Sequence, residues 1–262
     1  MRLVIIGFMI LILAACNQNN DTSINTPAYN EEQAMKDLVT KYPDSFPLIQ
    51  NLTSYYIDKE NYDGAIAILN KTIQKDTANP FLYDMQSMVY AQKGDTASAI
   101  KSLENAIDIF PKPEFIISLG ALYAQGQNPK ALEIADALLL GNKAKAEKEA
   151  YFIKGLYYSF HNEKEKSLTF FDKSIAVSYT FMDAYMEKGL ALYQLNRYKD
   201  AADVFEKAVT IQNGYAEGYY QLGRCYEKLN RQQDALDAYN TAVIRDPNYI
   251  EAKEAMGRLG VK

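Results

Sequence analysis

The sequence predicts an all-α protein built as a solenoid of repeated helix pairs. A pattern of small residues, aromatic residues and a proline begins at residues 46, 80, 113, 148, 182 and 216, so that successive starts are 33 to 35 residues apart. One helix pair cannot bury its apolar face alone, so the copies are expected to stack on one another. With 262 residues and an apolar content of 48%, the chain has enough material for a continuous core.

The last repeat, residues 216–249, carries the pattern most completely. Counted from its first residue, the filled positions are Tyr219 (4), Leu222 (7), Gly223 (8), Tyr226 (11), Ala235 (20), Tyr239 (24), Ala242 (27) and Pro247 (32). This spacing resembles the tetratricopeptide repeat (TPR), a helix–turn–helix unit of 34 residues, with Tyr219 at the position of the usual tryptophan. The resemblance implies a TPR right-handed superhelical solenoid of about six repeats.

Helix packing explains why these residue types recur. Gly223, Ala235 and Ala242 are small where paired helices cross, and larger side chains there would hold the backbones apart. Pro247 lacks an N–H group and restrains Asp246 from helical geometry, which ends the second helix of the pair. Each repeat therefore contains its own packing and stop signals.

The first residues of the chain have a different character. Met1-Arg2 is followed by an apolar run from Leu3 to Leu13, which is too short for a stable transmembrane helix and is typical of a signal peptide. The run ends in Leu-Ala-Ala-Cys, which resembles the lipobox of bacterial lipoproteins. That resemblance implies removal of residues 1–15 and lipidation of Cys16, whereas the alternative is an ordinary signal peptide with an incidental cysteine.

A polar segment follows and suggests a tether. Residues 17–29 contain one aliphatic residue, Ile24, and such a composition cannot bury enough surface to fold. A flexible chain of this length has a root-mean-square reach of about 20 Å. By resemblance to enterobacterial sorting, Asn17 favours an outer-membrane lipoprotein facing the periplasm over an inner-membrane or cell-surface one.

The rest of the chain divides into an N-terminal cap, six repeats and a C-terminal cap. Asn30 can cap a helix that Pro43 stops, so residues 30–45 are expected to form the first cap. The predicted repeats are 46–79, 80–112, 113–147, 148–181, 182–215 and 216–249, and the last cap is 250–262. The third repeat has a turn one residue short, at Gly126 to Pro129.

Composition and motifs argue against catalysis and against nucleic-acid binding. The net charge is −5, so no basic footprint for nucleic acid exists, and the single histidine, His161, is expected to face solvent at a turn. No metal-ligand spacing, P-loop, dinucleotide fingerprint or nucleophile motif occurs. We therefore predict a non-enzymatic protein without metal or cofactor, in which Cys225 is a packing residue.

The first helices of TPR arrays line a concave groove through positions 2, 5, 9 and 12 of each repeat. Carried over to this chain, those positions and their neighbours form an apolar and aromatic strip that ends in an arginine. The predicted partner-groove residues are Met88, Ile117, Phe152, Leu156, Met186, Leu190, Tyr193, Tyr220 and Arg224.

Two interpretations of this strip remain open. It can receive an apolar or amphipathic helical segment of a partner protein, or it can be filled by a tight superhelix or by self-association. The more polar end, with Glu217, Arg224 and Glu227, can orient a charged partner segment or be solvated. Gln50 and Ser54 replace the Lys and Asn of the carboxylate clamp of chaperone-binding members, which argues against that mode of recognition.

These observations predict a lipid-anchored, non-catalytic scaffold or adaptor of the bacterial cell envelope that binds a partner protein. The resemblance extends to envelope lipoproteins that assist the assembly of larger complexes. The alternatives are a self-associating structural surface lipoprotein and, less in keeping with the absence of convergent polar residues, a ligand-binding or enzymatic domain in a repeat fold.

Overall fold

The computed structural model describes residues 30–141 and 143–260, and within them every regular element is an α-helix. This confirms the predicted all-α fold class. The helices are α1 (Glu31–Lys41), α2 (Phe46–Asp58), α3 (Tyr62–Ile73), α4 (Pro80–Lys93), α5 (Thr96–Ile109), α6 (Pro113–Gln125), α7 (Lys130–Leu140), α8 (Lys143–Phe160), α9 (Lys164–Val177), α10 (Met182–Gln194), α11 (Tyr198–Ile211), α12 (Ala216–Lys228), α13 (Gln232–Arg245) and α14 (Ile250–Arg258).

The described chain divides into two compact units, with the boundary inside α6. Unit 1 ends at Phe115 and unit 2 begins at Ile116. Within each unit, a first helix packs against the second helix of the same repeat across a short turn. The even-numbered helices from α2 to α12 are the first helices, and the odd-numbered helices from α3 to α13 are the second helices.

Unit 1 is built on aliphatic packing. Leu52, Leu69 and Val89 are fully buried in its core, on the helical spacing that an amphipathic repeat provides. The first helix, α1, begins where the Asn30 side chain accepts a hydrogen bond from the backbone N–H of Gln33 at 3.2 Å. Tyr56 donates to Glu32 at 3.0 Å and joins α1 to α2.

Unit 2 is built on glycine–aromatic packing. Gly155, Gly189 and Gly223 lie on first helices, and a β-carbon at any of them would overlap the ring of Phe171, Phe205 or Tyr239 on the following second helix. Those three rings are fully buried. Ala235 and Ala242 are fully buried as well, as the small-residue pattern predicts. The glycines therefore let each large ring reach the centre of its helix pair.

The turns inside the repeats of unit 2 use left-handed residues. Asn162, Asn196 and Asn230 have φ angles of 62°, 59° and 58°, a conformation that asparagine tolerates better than most residues. Gln127 holds the same conformation in the third repeat, with φ 55°. The left-handed backbone conformation therefore recurs at this turn position even where the residue type differs.

Helix α8 begins before the predicted start of the fourth repeat. It starts at Lys143, whereas the repeat pattern begins at residue 148. The intervening sequence is rich in Lys, Ala and Glu and contains no glycine or proline, so the helix extends towards its N-terminus by propensity alone.

The predicted signal peptide, Cys16 and tether lie outside the described residues. Between residues 30 and 260, leaving aside residue 142, we find no helix with both the length and the apolarity needed to cross a membrane.

Candidate partner-binding surface

Three of the predicted groove residues belong to the interior of unit 2. Phe152 and Leu156 are 9% and 8% exposed, and Met186 is fully buried. The Phe152 ring packs against Phe181 and Phe171, with ring centroids 5.2 Å and 5.9 Å apart. In this conformation these side chains fill space between repeats and offer little surface to a partner, so their role in binding stays a prediction.

A second group of predicted residues is partly exposed. Leu190, Tyr193 and Tyr220 pack against the core of unit 2 without being enclosed by it. The Arg224 guanidinium lies over the Tyr193 and Tyr220 rings, 4.6 Å and 6.0 Å from their centroids. Arg224 also donates to Gln221 at 2.7 Å. The structure thus brings Tyr193, Tyr220 and Arg224 together as one stack between α10 and α12.

The two remaining predicted residues lie in different units. Met88 is 37% exposed on α4 of unit 1, and Ile117 is half-buried on α6 of unit 2.

Carboxylates on the first helices of unit 2 form a feature that sequence reasoning missed. Glu149, Asp183, Glu217 and Glu251 stand at intervals of 34 residues, on α8, α10, α12 and α14. We call these four residues the acidic ladder. Of these four, only Glu217 was singled out from the sequence, together with Arg224 and Glu227. The signal available in the sequence was the constant interval, which matches the repeat length.

Glu187 lies beside this ladder and faces away from the second helices. It is two residues before Gly189, which corresponds to a rotation of about 200° around the helix, and Gly189 faces Phe205 of α11. Asp183 and Glu217 both act electrostatically on Glu187, so the three groups are neighbours. We define the inner face of unit 2 as the surface that carries the acidic ladder and Glu187.

Burial perturbs the ionisation of these carboxyl groups. It raises the pKa of Glu187 to about 7, with repulsion from Asp183 and Glu217 adding to the effect and Lys164 opposing it. Burial also raises the pKa of Asp183 and of Glu217. Among the described residues, none of these three carboxyl groups has a hydrogen bond or an ion pair within 4 Å. They are therefore charges held next to one another in a poorly solvated place.

Two lysine side chains lie near the inner face, and Lys148 also acts electrostatically on Asp183. Lys164 donates to the Ser159 carbonyl and hydroxyl oxygens at 2.7 Å and 2.9 Å, and burial lowers its pKa. Lys148 lies 3.4 Å from one oxygen of Glu149 and 5.3 Å from the Phe181 ring centroid. The other oxygen of Glu149 is buried without a hydrogen-bond partner. The inner face thus has an excess of negative charge.

Other reactive groups of the described chain are placed for packing. Burial raises the pKa of the Cys225 thiol to about 12, so it is not a thiolate at neutral pH. His161 is partly buried, because its ring stacks on Tyr157 with centroids 4.0 Å apart. No group of three or more His, Cys, Asp or Glu residues in the described ranges is arranged to hold a metal ion.

A surface cavity of about 440 Å³ lies between α9, α10 and α11. Two ion pairs lie in its wall, Lys188 with Asp172 at 2.6 Å and Arg197 with Asp200 at 2.7 Å.

Comparison with known proteins agrees with this architecture. The tetratricopeptide repeat family model matches residues 82–113 and 192–259. A curated relative, the TPR repeat-containing protein MJ1428 of Methanocaldococcus jannaschii, is 29% identical over 118 residues, which are 45% of this chain and 20% of that protein. This chain therefore matches about a fifth of the length of that relative.

Solved structures show the same fold at low sequence identity. A TPR protein from Parabacteroides merdae superposes with a TM-score of 0.64 at 18% identity, over 87% of this chain and 90% of that one. TTC0263 of Thermus thermophilus superposes with a TM-score of 0.56 at 17% identity, over 69% of this chain and 98% of that one. A chain of the APC/C hetero-tetramer Cut9–Hcn1 superposes with a TM-score of 0.53 at 16% identity, over 88% of this chain and 46% of that one. The chain thus has TPR repeats and the TPR fold, which suggests a scaffold for protein–protein interaction.

Proposed function

We propose that this protein is a non-catalytic, lipid-anchored scaffold of the bacterial cell envelope that holds a segment of a partner protein on the inner face of unit 2. The observation that carries the proposal is the stack of Arg224 between Tyr193 and Tyr220, on first helices of successive repeats. Tyrosine and arginine are enriched among the residues that dominate binding energy at protein interfaces. Partly exposed aromatic rings that are already held in place lose little entropy on binding.

The scaffold role is supported by the fold and by the lack of reactive chemistry in the described residues. Cut9, which shares the fold, is found in a hetero-tetramer with Hcn1. Neither matching family model indicates an enzyme family.

The membrane attachment is supported by the sequence. The apolar run followed by Leu13-Ala14-Ala15-Cys16 resembles a lipobox, and acyl chains on Cys16 would each add membrane affinity in proportion to their length. A tether of residues 17–29 would keep the folded units near the membrane surface. Metabolic labelling with a radioactive fatty acid tests this part, since Cys16→Ser should abolish the label and release the protein from the membrane fraction.

Binding is tested by crosslinking in cells followed by mass spectrometry. The informative variant is Arg224→Glu, and the matched control is Arg231→Glu, because Arg231 also lies over a tyrosine, Tyr226 at 4.3 Å, but sits at the turn of the same repeat. We expect a defined envelope protein to be captured by wild type and by the control and to be lost from Arg224→Glu. Equal capture by all three would refute binding at this stack.

Self-association is the second candidate function, and the same experiment separates it. The described chain exposes several apolar side chains at helix ends, including Leu140 at 88% and Tyr179 at 69%. If the crosslinked product contains only copies of this chain, and its mass rises with concentration, the protein is a self-associating surface lipoprotein instead.

A further inference from the structure

The inner face of unit 2 includes three carboxyl groups that have no direct hydrogen-bond or ion-pair partner in the described part of the chain. Asp183, Glu187 and Glu217 are neighbours on α10 and α12, and no hydrogen bond or ion pair to any of them exists in the described part of the chain. Glu187 is only partly exposed, and burial is the main cause of its raised pKa. Buried charges in proteins are normally paired, because an unpaired one loses its hydration without compensation.

Solvation alone does not account for this arrangement. Acidic residues that serve only solubility are exposed and interspersed with lysine and arginine, as Asp172 is beside Lys188 on the surface between α9 and α10. Asp183 and Glu217 stand instead at one repeat position, 34 residues apart, and are partly buried. Glu149, at the same position one repeat earlier, has a buried oxygen without a partner.

The ligand chemistry follows from the placement of the charges. Asp183 and Glu187 lie on α10 and Glu217 lies on α12, so the carboxyl groups extend across two repeats, and no metal-holding group is found among the described residues. A row of carboxylates is matched by a row of cations. Tyr193 and Tyr220 lie on the same helices as these carboxylates, and their rings already hold the guanidinium of Arg224.

We infer that the inner face of unit 2 binds a basic segment of a partner protein, whose lysine or arginine side chains occupy the sites at Asp183, Glu187 and Glu217. This inference rests on the proposed scaffold function and specifies the chemistry of the partner. It also departs from the apolar segment that the sequence predicts, since Phe152, Leu156 and Met186 are occupied by internal packing.

The repeat geometry specifies the spacing of the basic residues. Neighbouring packed helices lie about 10 Å apart, and an extended chain rises about 3.3 Å per residue. Basic residues at every third position of an extended segment are therefore spaced to meet Asp183 on α10 and Glu217 on α12. A peptide with the same lysines placed next to one another does not match this spacing.

The probe is a short fluorescein-labelled peptide with lysine at every third position and Gly, Ser and Ala between. Fluorescence anisotropy measures its binding to the full chain at several salt concentrations. A peptide with the same composition but adjacent lysines tests the spacing, and a peptide with glutamate in place of lysine tests the sign of the charge. We expect the spaced basic peptide to bind most tightly and to weaken by about tenfold when the salt is raised to a few hundred millimolar.

The test variant is Asp183→Asn with Glu187→Gln and Glu217→Gln, which removes three charges from the inner face. The control removes three exposed charges elsewhere in unit 2, by Glu133→Gln, Asp203→Asn and Glu254→Gln. We expect the affinity for the spaced basic peptide to fall by about tenfold or more in the test variant and by less than about twofold in the control. Circular dichroism checks folding, and Glu187→Gln alone serves if the triple variant does not fold.

The outcomes separate this inference from the proposed function. Weak or absent binding of the basic peptide, or equal binding by the test variant, overturns the basic-segment inference. Equal losses in the test and control variants overturn it also, because they indicate bulk charge. Should the crosslinking in cells still capture a partner that Arg224→Glu loses, the scaffold function stands while its basic-segment chemistry fails. If neither experiment detects binding, both are refuted.

Discussion

The two units pack the same repeat position in complementary ways. In unit 2, Gly189 on a first helix faces Phe205 on the second helix, sixteen residues later. In unit 1 the equivalent positions hold Thr53 with Leu69, and both are buried. In unit 2 the glycine is paired with a large aromatic ring, whereas in unit 1 the larger Thr53 is paired with the smaller Leu69. A small residue on one helix thus leaves room for a large side chain on the other, as close packing requires.

The units differ again at the start of their first helices. In unit 1, Phe46, Phe81 and Phe115 form an edge-to-face series with centroids 6.2 Å and 5.9 Å apart. The same 34-residue interval that links Phe81 to Phe115 leads on to Glu149, Asp183 and Glu217 in unit 2. One repeat position thus changes from aromatic to acidic between the units. An aromatic series stabilises its own unit, whereas Asp183 and Glu217 have no direct ion pair in the described part of the chain.

The largest change in stability is expected when the side chains of the unit 1 pair are introduced at the equivalent positions of unit 2. Gly189→Thr places the unit 1 side chain against the Phe205 ring and should lower the free energy of unfolding by about 2–3 kcal/mol. Adding Phe205→Leu should recover at least half of that loss, because it restores the summed volume. Gly257→Thr is the control, since no atom lies within 4 Å of a β-carbon at that glycine. Additive losses in urea denaturation would contradict volume compensation.

An effect of intermediate size is expected from the unpaired charge of unit 2. The raised pKa of Glu187, about 7 against an ordinary 4.5, means that the folded state holds a proton that the unfolded state has lost. The contribution of Glu187 to the free energy of unfolding is therefore fully present below about pH 4.5 and is lost as the pH rises through 7. Glu187→Gln should therefore increase the free energy of unfolding by about 1–3 kcal/mol at pH 8 and leave it nearly unchanged at pH 4.

Denaturation curves at both pH values test this prediction, with Glu254→Gln as an exposed control. Lys164, Asp183 and Glu217 act on Glu187 and remain in the variant. A gain that is the same at both pH values would show that the carboxyl group of Glu187 is ionised normally in the folded protein.

The smallest effect concerns the turns. Gln127 adopts the left-handed conformation that Asn230 adopts in the last repeat. Gln127→Asn should increase the free energy of unfolding by about 0.5 kcal/mol, and Asn230→Gln should decrease it by a similar amount. The midpoint of thermal unfolding measures both changes. Shifts of the same sign in both variants would mean that side-chain contacts and not backbone conformation decide the turn residue.

Much of the fold was accessible from the sequence, but less of the candidate site. Tyr193, Tyr220 and Arg224 were identified by their repeat positions, and the structure brings them together. Phe152 and Met186 were identified by the same rule, yet they are buried. A repeat position states which way a side chain leaves its helix, but it does not state how closely the neighbouring helix approaches.

The helix pairs can be predicted from the amino-acid sequence, because the signals that form them are local. Glycines at close crossings, asparagines in left-handed turns and prolines at helix ends act within one repeat. The division within α6 and the raised pKa values of the carboxyl groups depend on how the helices pack in three dimensions. The pKa of Glu187 depends on burial and on Glu217, which is thirty residues away in the chain. Burial and charge–charge interactions act through space, so the pKa of Glu187 can be assigned only once the packing of the repeats is known.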